Sequence, residues 1–496
     1  MLISRRPRSI RTSTASICGR STSSSTRGGD VSRVAPVFVA LVALAGCMRY
    51  TPVPLEPSNH AAAYRARSLR DTSLIAWVAR WAGRPDGDRW TDRQLAVAAL
   101  ALRSELARAR AEWRATVIGE RIAGARPAPG AAAGVERAVA GSEGASPWVV
   151  SLGATLAVEL GGKRGARVQQ ARAESALAEA ELRGGAWRIA VDTRAAALAL
   201  ASADAARDDA VREADILGEI ATLERARYEE AALTAAELAR TASDVQLARG
   251  EVAAAEAEAI DARATLAAAT ALPWKALDSL RVDLVPGTAC TSLLAVGDDS
   301  LAALSLTRRP EIGRALAHYA VAEAGLRLSI ARQYPDLELG PGFIWDQGVH
   351  RWTLAFALPN LLGLRNRAPM DQARAEREAA AAAVNEAQDD LLGETARAAG
   401  RCRGAVLEAA AAEAQVVAAR RSAALARAAY ERGETSRLDP ALADLGALRA
   451  ERFQRGRASR LAAAAAALEA AMGGPPGEAG TWPDPRSDVL VDGRAR

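Results

Sequence analysis

Aromatic residues make up only 4% of this 496-residue chain, although half of its residues are apolar. Alanine fills the difference, in runs such as Ala462 to Ala467. A large globular core needs more leucine, isoleucine and phenylalanine volume than this. Alanine loses no side-chain entropy in a helix and lets helices approach closely. The composition therefore points to extended helices packed side by side.

Lysine is nearly absent, standing only at Lys163 and Lys275, so the formal charge of +5 rests on arginine. Charges of both signs share the same stretches, as at Arg172, Glu174, Glu179, Glu181 and Arg183. Such mixing describes solvated helix faces with i,i+4 pairs. Without a concentrated basic patch interleaved with aromatics, nucleic acid is excluded as a partner. The three histidines (His60, His318, His350) and four cysteines (Cys18, Cys47, Cys290, Cys402) are scattered at no metal-ligand spacing. G-x-S-x-G, a glycine-rich phosphate loop and HExxH are all missing, so no enzyme, metal or cofactor is expected.

The apolar run from Val34 to Ala45 falls short of the roughly 20 residues a spanning helix needs. It follows a segment carrying Arg5, Arg6, Arg8, Arg11, Arg20, Arg27 and Arg33, and ends in Leu44-Ala45-Gly46-Cys47. Basic, apolar and small-residue segments in that order make a secretory signal over 1–46. The ending resembles the bacterial lipoprotein box, which implies diacylation at Cys47. Met48 rather than aspartate follows, which implies outer-membrane sorting. The exported chain then begins with a tether, 47–89, whose residues 50–60 are proline-rich and extended. After export, Cys290 and Cys402 are either a disulfide or two free thiols.

The body reads as a duplication. Gln169-Gln-Ala-Arg-Ala-Glu174 recurs as Asp371-Gln-Ala-Arg-Ala-Glu376, and the same offset of 202 carries Tyr228 onto Tyr430 and Pro273 onto Pro475. Arg103-Ser-Glu-Leu106 matches Arg309-Pro-Glu-Ile312, and Trp148 matches Trp352, at offsets of 206 and 204. The repeats occupy 90–273 and 299–475, with a linker at 274–298 and a tail at 476–496. In each, a helix (about 91–115 and 299–332) precedes two strands, a very long helix, a break and a returning helix. Residues 165 to about 231 lack proline and are interrupted mainly by Gly184-Gly185, enough for a helix of roughly 100 Å. Helices of that length need partner helices in a coiled-coil-like bundle.

Period-two alternation marks the strands. Trp148, Val150, Leu152, Ala154, Leu156 and Val158 alternate with Ser151, Gly153, Thr155 and Glu159. Trp352, Leu354, Phe356 and Leu358 alternate with Arg351, Thr353, Ala355 and Ala357, and Leu337, Leu339, Phe343 and Trp345 form a third apolar set. Ten-residue strands with aromatics near their ends suit a transmembrane β-barrel. The remaining strand is expected at about Val117 to Ala125, although alternation there is poor, and 124–147 reads as an exposed loop. Four strands cannot close a barrel, so subunits must pool them: two copies give eight strands, three give twelve with a lumen.

This plan resembles the TolC-like outer-membrane efflux proteins over about 90–475. Besides the duplicated plan, the likeness is carried by Arg309-Pro-Glu-Ile312, by Tyr334-Pro-Asp-Leu337, and by Tyr430-x-x-Gly433-x-x-Ser436-x-x-Asp439 at the helix break. The resemblance implies a mainly α chain with a transmembrane β portion, a homotrimer with a twelve-stranded β-barrel, and a long periplasmic α-barrel. It also implies docking to a periplasmic adaptor and an inner-membrane pump. In that family the helix breaks form the tip that meets the adaptor. Here these are Tyr430, Gly433, Ser436 and Asp439, with Tyr228, Ala231, Thr234 and Glu237 in the first repeat. Ala231 stands where the family has glycine, leaving open whether the first tip turns likewise or continues as helix. The passage Leu358-Pro359 through Asn366-Arg367-Ala368-Pro369-Met370 looks closest to the heavy-metal efflux branch, while multidrug and protein cargo stay open. The expected function is a passive conduit in the outer membrane. The competing reading, a periplasmic coiled-coil scaffold lipoprotein, explains the helices and Cys47 but leaves the alternating strands without a purpose.

Overall fold

A computed structural model describes residues 50–137, 139, 147–283, 289–346, 348–359, 367–474 and 482–486. The signal segment, Cys47, Pro475 and the passage 360–366 lie outside the described residues. Residues 50–56 are extended and exposed, and helix α1 (Pro57–Ala66) follows.

Further along, α2 (Thr72–Ala82) is capped by Asp71, whose carboxylate accepts from the Ser73 N–H at 2.8 Å. Its Leu74 and Val78, with Leu69, are buried against the helices of the first half. The tether expected over 47–89 is therefore shorter, because apolar residues at helical spacing draw 69–82 into the core. Strand β1 (Arg89–Thr91) pairs in parallel with β4 (Arg281–Asp283), clasping the linker to the start of the body.

The body contains one order of elements twice. In the first half come α3 (Asp92–Leu102), α4 (Ser104–Ala123), β2 (Gly130–Arg137), β3 (Trp148–Val158), α5 (Lys163–Glu229) and α6 (Ala235–Thr270). A linker with a 3-10 turn, β4 and the short α7 (Cys290–Leu294) leads to the second half. There α8 (Asp298–Arg308), α9 (Pro310–Ala331), β5 (Leu337–Asp346), β6 (Val349–Ala357), α10 (Arg367–Glu431) and α11 (Leu438–Ala471) follow.

Two expectations are corrected. The leading helix of each half is a pair, broken where Arg103 and Arg309 take extended backbone (ψ 115 and 130). The expected strand at Val117 to Ala125 is the end of α4, and the first strand instead occupies Gly130–Arg137, inside the presumed loop. That strand is Gly-Ala-Ala-Ala-Gly-Val-Glu-Arg, whose small side chains show no apolar alternation. Backbone pairing with β3, from Gly130 opposite Thr155 to Arg137 opposite Trp148, holds it.

The long helices α5 (67 residues) and α10 (65 residues) each fold back as a hairpin with α6 and α11. Helix α5 buries Leu182, Ala186, Ile189, Ala190, Thr193, Ala196, Ala197, Leu200 and Ala203, a seam at alternating three- and four-residue steps. Gly184-Gly185 does not interrupt it. A Cβ on Gly184 would come 3.9 Å from Pro310 of α9, and one on Gly185 3.9 Å from Leu106 of α4, ordinary van der Waals contact that leaves room for alanine at both.

Candidate functional site: a bare sheet, two helix-break tips and the joints between them

The four strands form one antiparallel sheet in the order β2-β3-β5-β6. Its register places Ala133, Leu152, Phe343 and Trp352 in one cross-strand row, and Leu156, Leu339 and Phe356 in another. The opposite face carries Gly134, Ser151, Ile344 and Arg351, then Ala132, Gly153, Gly342 and Thr353. One face is thus broad and apolar, the other small and mostly polar. Among the described residues no helix packs extensively on either face. Trp352 is 84% exposed, Phe356 66%, Leu354 59% and Leu152 54%. A contiguous bare apolar surface of this kind marks an interaction or membrane face. Phe343 and Trp352 rings lie 5.2 Å apart across the strands, and the Arg137 guanidinium sits 5.8 Å over the Trp148 ring at the strand ends. Among the described residues no helix is long and apolar enough to cross a membrane.

At the opposite end of the long helices, the two breaks make the same turn. The Ala231 N–H donates to the Tyr228 carbonyl (2.9 Å) and the Ala232 N–H to that of Arg227 (2.8 Å). Gly433 donates to Tyr430 (2.8 Å) and Glu434 to Ala429 (2.9 Å). Both hinge residues are left-handed, Ala231 at φ 56 and Gly433 at φ 74. Alanine therefore does not continue the first helix; it adopts the glycine conformation at a steric cost. Beyond the turn, the Thr234 N–H and hydroxyl donate to Glu237 (2.9 and 2.7 Å), as those of Ser436 do to Asp439 (3.0 and 2.8 Å). The Thr234 backbone N–H, and then its hydroxyl, hold the Glu237 carboxyl below the usual range. Tyr228 and Tyr430 are each 43% exposed. Ala231→Gly is expected to raise stability, and Gly433→Ala to lower it, by about 1 kcal/mol each, measured as opposite shifts in thermal unfolding.

Arginine holds the other end of each hairpin, a role that spacing alone does not reveal. Arg103 Nη1 donates to the Ala268 carbonyl (2.9 Å) and Arg309 Nη1 to that of Ala470 (3.1 Å), closing the last turns of α6 and α11. Each also pairs with the glutamate two residues on, Glu105 or Glu311. The Arg103-Ser-Glu and Arg309-Pro-Glu matches thus share a structural cause. Tyr334-Pro-Asp-Leu337 has one as well: Asp336 accepts from Lys163 (2.7 Å), and Tyr334 covers Gly161 (φ 67) so closely that a Cβ there would collide with its ring.

Between tip and joint, carboxylates of α5 meet arginines of α11. Asp209 accepts both Arg455 Nε (2.7 Å) and Nη2 (2.6 Å), and Glu213 accepts Arg449 (2.7 Å) and Arg452 (2.8 Å). Nearer the joint, Arg194 donates to Asp92 (2.7 Å) and Glu469 (3.3 Å). Burial opposes ionisation of Glu213, but hydrogen bonds from Arg449 and Arg452 outweigh it and hold the carboxyl below its ordinary range. A carboxylate with a depressed folded pKa contributes stability above its unfolded value, and the contribution is lost as pH falls through the folded value. Acidification below about pH 4.5 should therefore lower the unfolding temperature, and Glu213→Gln should flatten that decline.

Cys290 and Cys402, both buried, form a disulfide across 112 residues that ties α7 to α10. Past α11, Trp482 packs against the first-half core under Arg93 (5.6 Å), and Pro485 accepts from Arg110 (2.6 Å). The tail expected at 476–496 is thus docked at 482–486, with tryptophan as its anchor. Among the described residues no group of histidines, cysteines or carboxylates is arranged to hold a metal ion.

Residues 301–474 match the family model of the outer membrane efflux protein. Among solved structures, the outer-membrane channel OprN is 20% identical, covering 87% of this chain and 99% of that one at a TM-score of 0.65. The outer membrane protein VceC of Vibrio cholerae is 20% identical over 81% of this chain and 98% of that one, with a TM-score of 0.63. The open state of the MtrE outer membrane channel of Neisseria gonorrhoeae is 20% identical over 77% and 89%, with a TM-score of 0.59. No curated protein sequence matches the chain. The likenesses show a shared, TolC-like fold over nearly the whole body.

Proposed function

From a TolC-like fold whose second half matches the outer membrane efflux proteins, we propose that this chain is a subunit of an outer-membrane efflux channel. The channel is a passive conduit from periplasm to exterior, and energy comes from an inner-membrane pump joined to it by a periplasmic adaptor. The observation that carries this reading is the bare sheet, apolar on one face and small and polar on the other. In lipid, open strand edges would leave backbone groups without partners, so the sheet must close. Four strands cannot close alone. Three chains pooling them give a twelve-stranded barrel with the apolar rows toward lipid and the glycine, serine and threonine rows toward a water-filled lumen.

The matching order of elements in the two halves supports an ancestral duplication, each half giving two strands and one hairpin. Three chains then form a pseudo-six-fold α-barrel. The tips at Tyr228, Ala231, Thr234, Glu237, Tyr430, Gly433, Ser436 and Asp439 are the adaptor contact, since their turns expose both tyrosines at the far end of the hairpins. Cys47, exported behind 1–46, carries the lipid anchor. The channel has no catalytic part; whether the cargo is metal, drug or protein depends on the pump.

The test is the oligomeric state of outer-membrane fractions. Detergent extraction should yield a heat-sensitive trimer that conducts ions across planar bilayers. A monomer or dimer released by salt would instead fit a periplasmic scaffold lipoprotein. Cys47→Ser should mislocalise the chain without abolishing trimer formation.

A further inference from the structure

All four passages between helix and strand lie at one end of the sheet, where Gly130 faces Thr155, Val158 faces Leu337 and Glu338 faces Ala357. Among the described residues, each passage carries an exposed arginine. Arg126 lies between α4 and β2, Arg164 is the second residue of α5, Arg332 follows α9, and Arg367 is the first residue of α10. Of the acids nearby, Asp336 pairs with Lys163 and Glu159 with Arg167, while the exposed Glu338 stands on the small, polar face of the sheet. Arg164 donates to the Gly124 carbonyl (2.7 Å), and among the described residues none of the four arginines forms an ion pair.

The same level carries exposed apolar side chains. Ile118 and Ile122 stand on the last turns of α4, Ile330 on that of α9, and Leu160 and Leu358 just past β3 and β6. Tyr334 is half exposed beside them. The far end of the sheet differs, with signs mixed and Arg351 paired to Asp346 at 3.1 Å. Among the described residues, one end is therefore a collar of apolar groups rimmed by guanidinium groups outside ion pairs; the other carries both signs.

We propose that this collar is a docking surface for anionic phospholipid headgroups in the leaflet on the helical side. The inference rests on the reading that the sheet spans a membrane. Guanidinium groups bind phosphate oxygens in pairs, their stems lie along acyl chains while the heads stay at the interface, and tyrosine prefers that boundary. Continuity of the collar with the apolar sheet face places the headgroup charges at the four arginines. Three chains would present twelve guanidinium groups around the barrel.

The test uses the full-length protein in phosphatidylcholine vesicles with trace spin-labelled phosphatidylglycerol or spin-labelled phosphatidylcholine. At low salt, phosphatidylglycerol should be immobilised about fivefold more readily than phosphatidylcholine, with the preference shrinking in high salt. The variant R126Q/R332Q/R367Q, which spares the Arg164 bond to Gly124, should bring the two lipids to parity while the trimer persists. Equal immobilisation by the unaltered protein would overturn the collar and leave the spanning sheet intact. An undiminished preference in the triple variant would also overturn it. Immobilisation of neither lipid would overturn the spanning sheet and the collar together.

Discussion

Leu354→Arg is expected to abolish the proposed outer-membrane trimer. Leu354 lies mid-strand in β6 on the apolar face, opposite Pro341 and two residues from both Trp352 and Phe356. An arginine at the middle of a lipid-facing barrel strand costs about 2–4 kcal/mol. In the proposed three-chain barrel, three copies raise this to about 6–12 kcal/mol, comparable with the whole stability of a folded domain. The neighbouring residue Thr353 projects to the polar face, in the row holding Gly342 and Gly153. Thr353→Arg therefore adds a charge to water, on a face that already carries Arg351, and should leave the trimer in place. Heat-modifiable bands in membrane fractions of both variants provide the comparison. Equal loss from both would mean the two faces do not differ as described.

Arg194→Ala should give the largest loss among the helices. Its guanidinium is shared by Asp92 of α3 and Glu469 of α11, and both carboxylates are buried. Burial disfavours the charge on Arg194, yet Asp92 and then Glu469 more than offset this and hold its pKa above the ordinary value. Removing the cation takes a compensating partner from two buried acids, at a cost of up to about 3–5 kcal/mol. The double change D92N/E469Q in the R194A background should recover much of that loss. Arg188→Ala is the control: Arg188 pairs with Glu105 at 2.5 Å but is largely solvated, so its loss should stay within about 1 kcal/mol. Thermal unfolding in detergent, with protease resistance as a second readout, separates the cases.

What could be read from the sequence divides along physical lines. Period-two alternation in β3, β5 and β6 identified the strands because large apolar side chains mark one face. In β2 the side chains are glycine and alanine, so pairing with β3 alone defines the strand and no pattern announces it. The long helices were legible from alanine content and the lack of proline. The break at Ala231–Thr234 was legible too, but its left-handed turn was not, since alanine does not itself favour that conformation. Arg103 and Arg309 stood out as matching motifs, but their role depends on carbonyls more than 160 positions away in sequence. The α5–α11 ion pairs were hidden for the same reason: in sequence, Asp209 and Glu213 are indistinguishable from the solvated acids around them.

The central claim, that the sheet is a membrane-spanning wall with lipid on one face and water on the other, is tested most directly by labelling β6. Single cysteines at positions 351 to 356, introduced one at a time into full-length protein in lipid vesicles, would be scored for reaction with a water-soluble thiol reagent. A membrane-spanning strand predicts alternation. Positions 351, 353 and 355 should react, and positions 352, 354 and 356 should be protected and accessible only to a lipid-dissolved probe. Uniform reaction with the aqueous reagent at all six positions would contradict it.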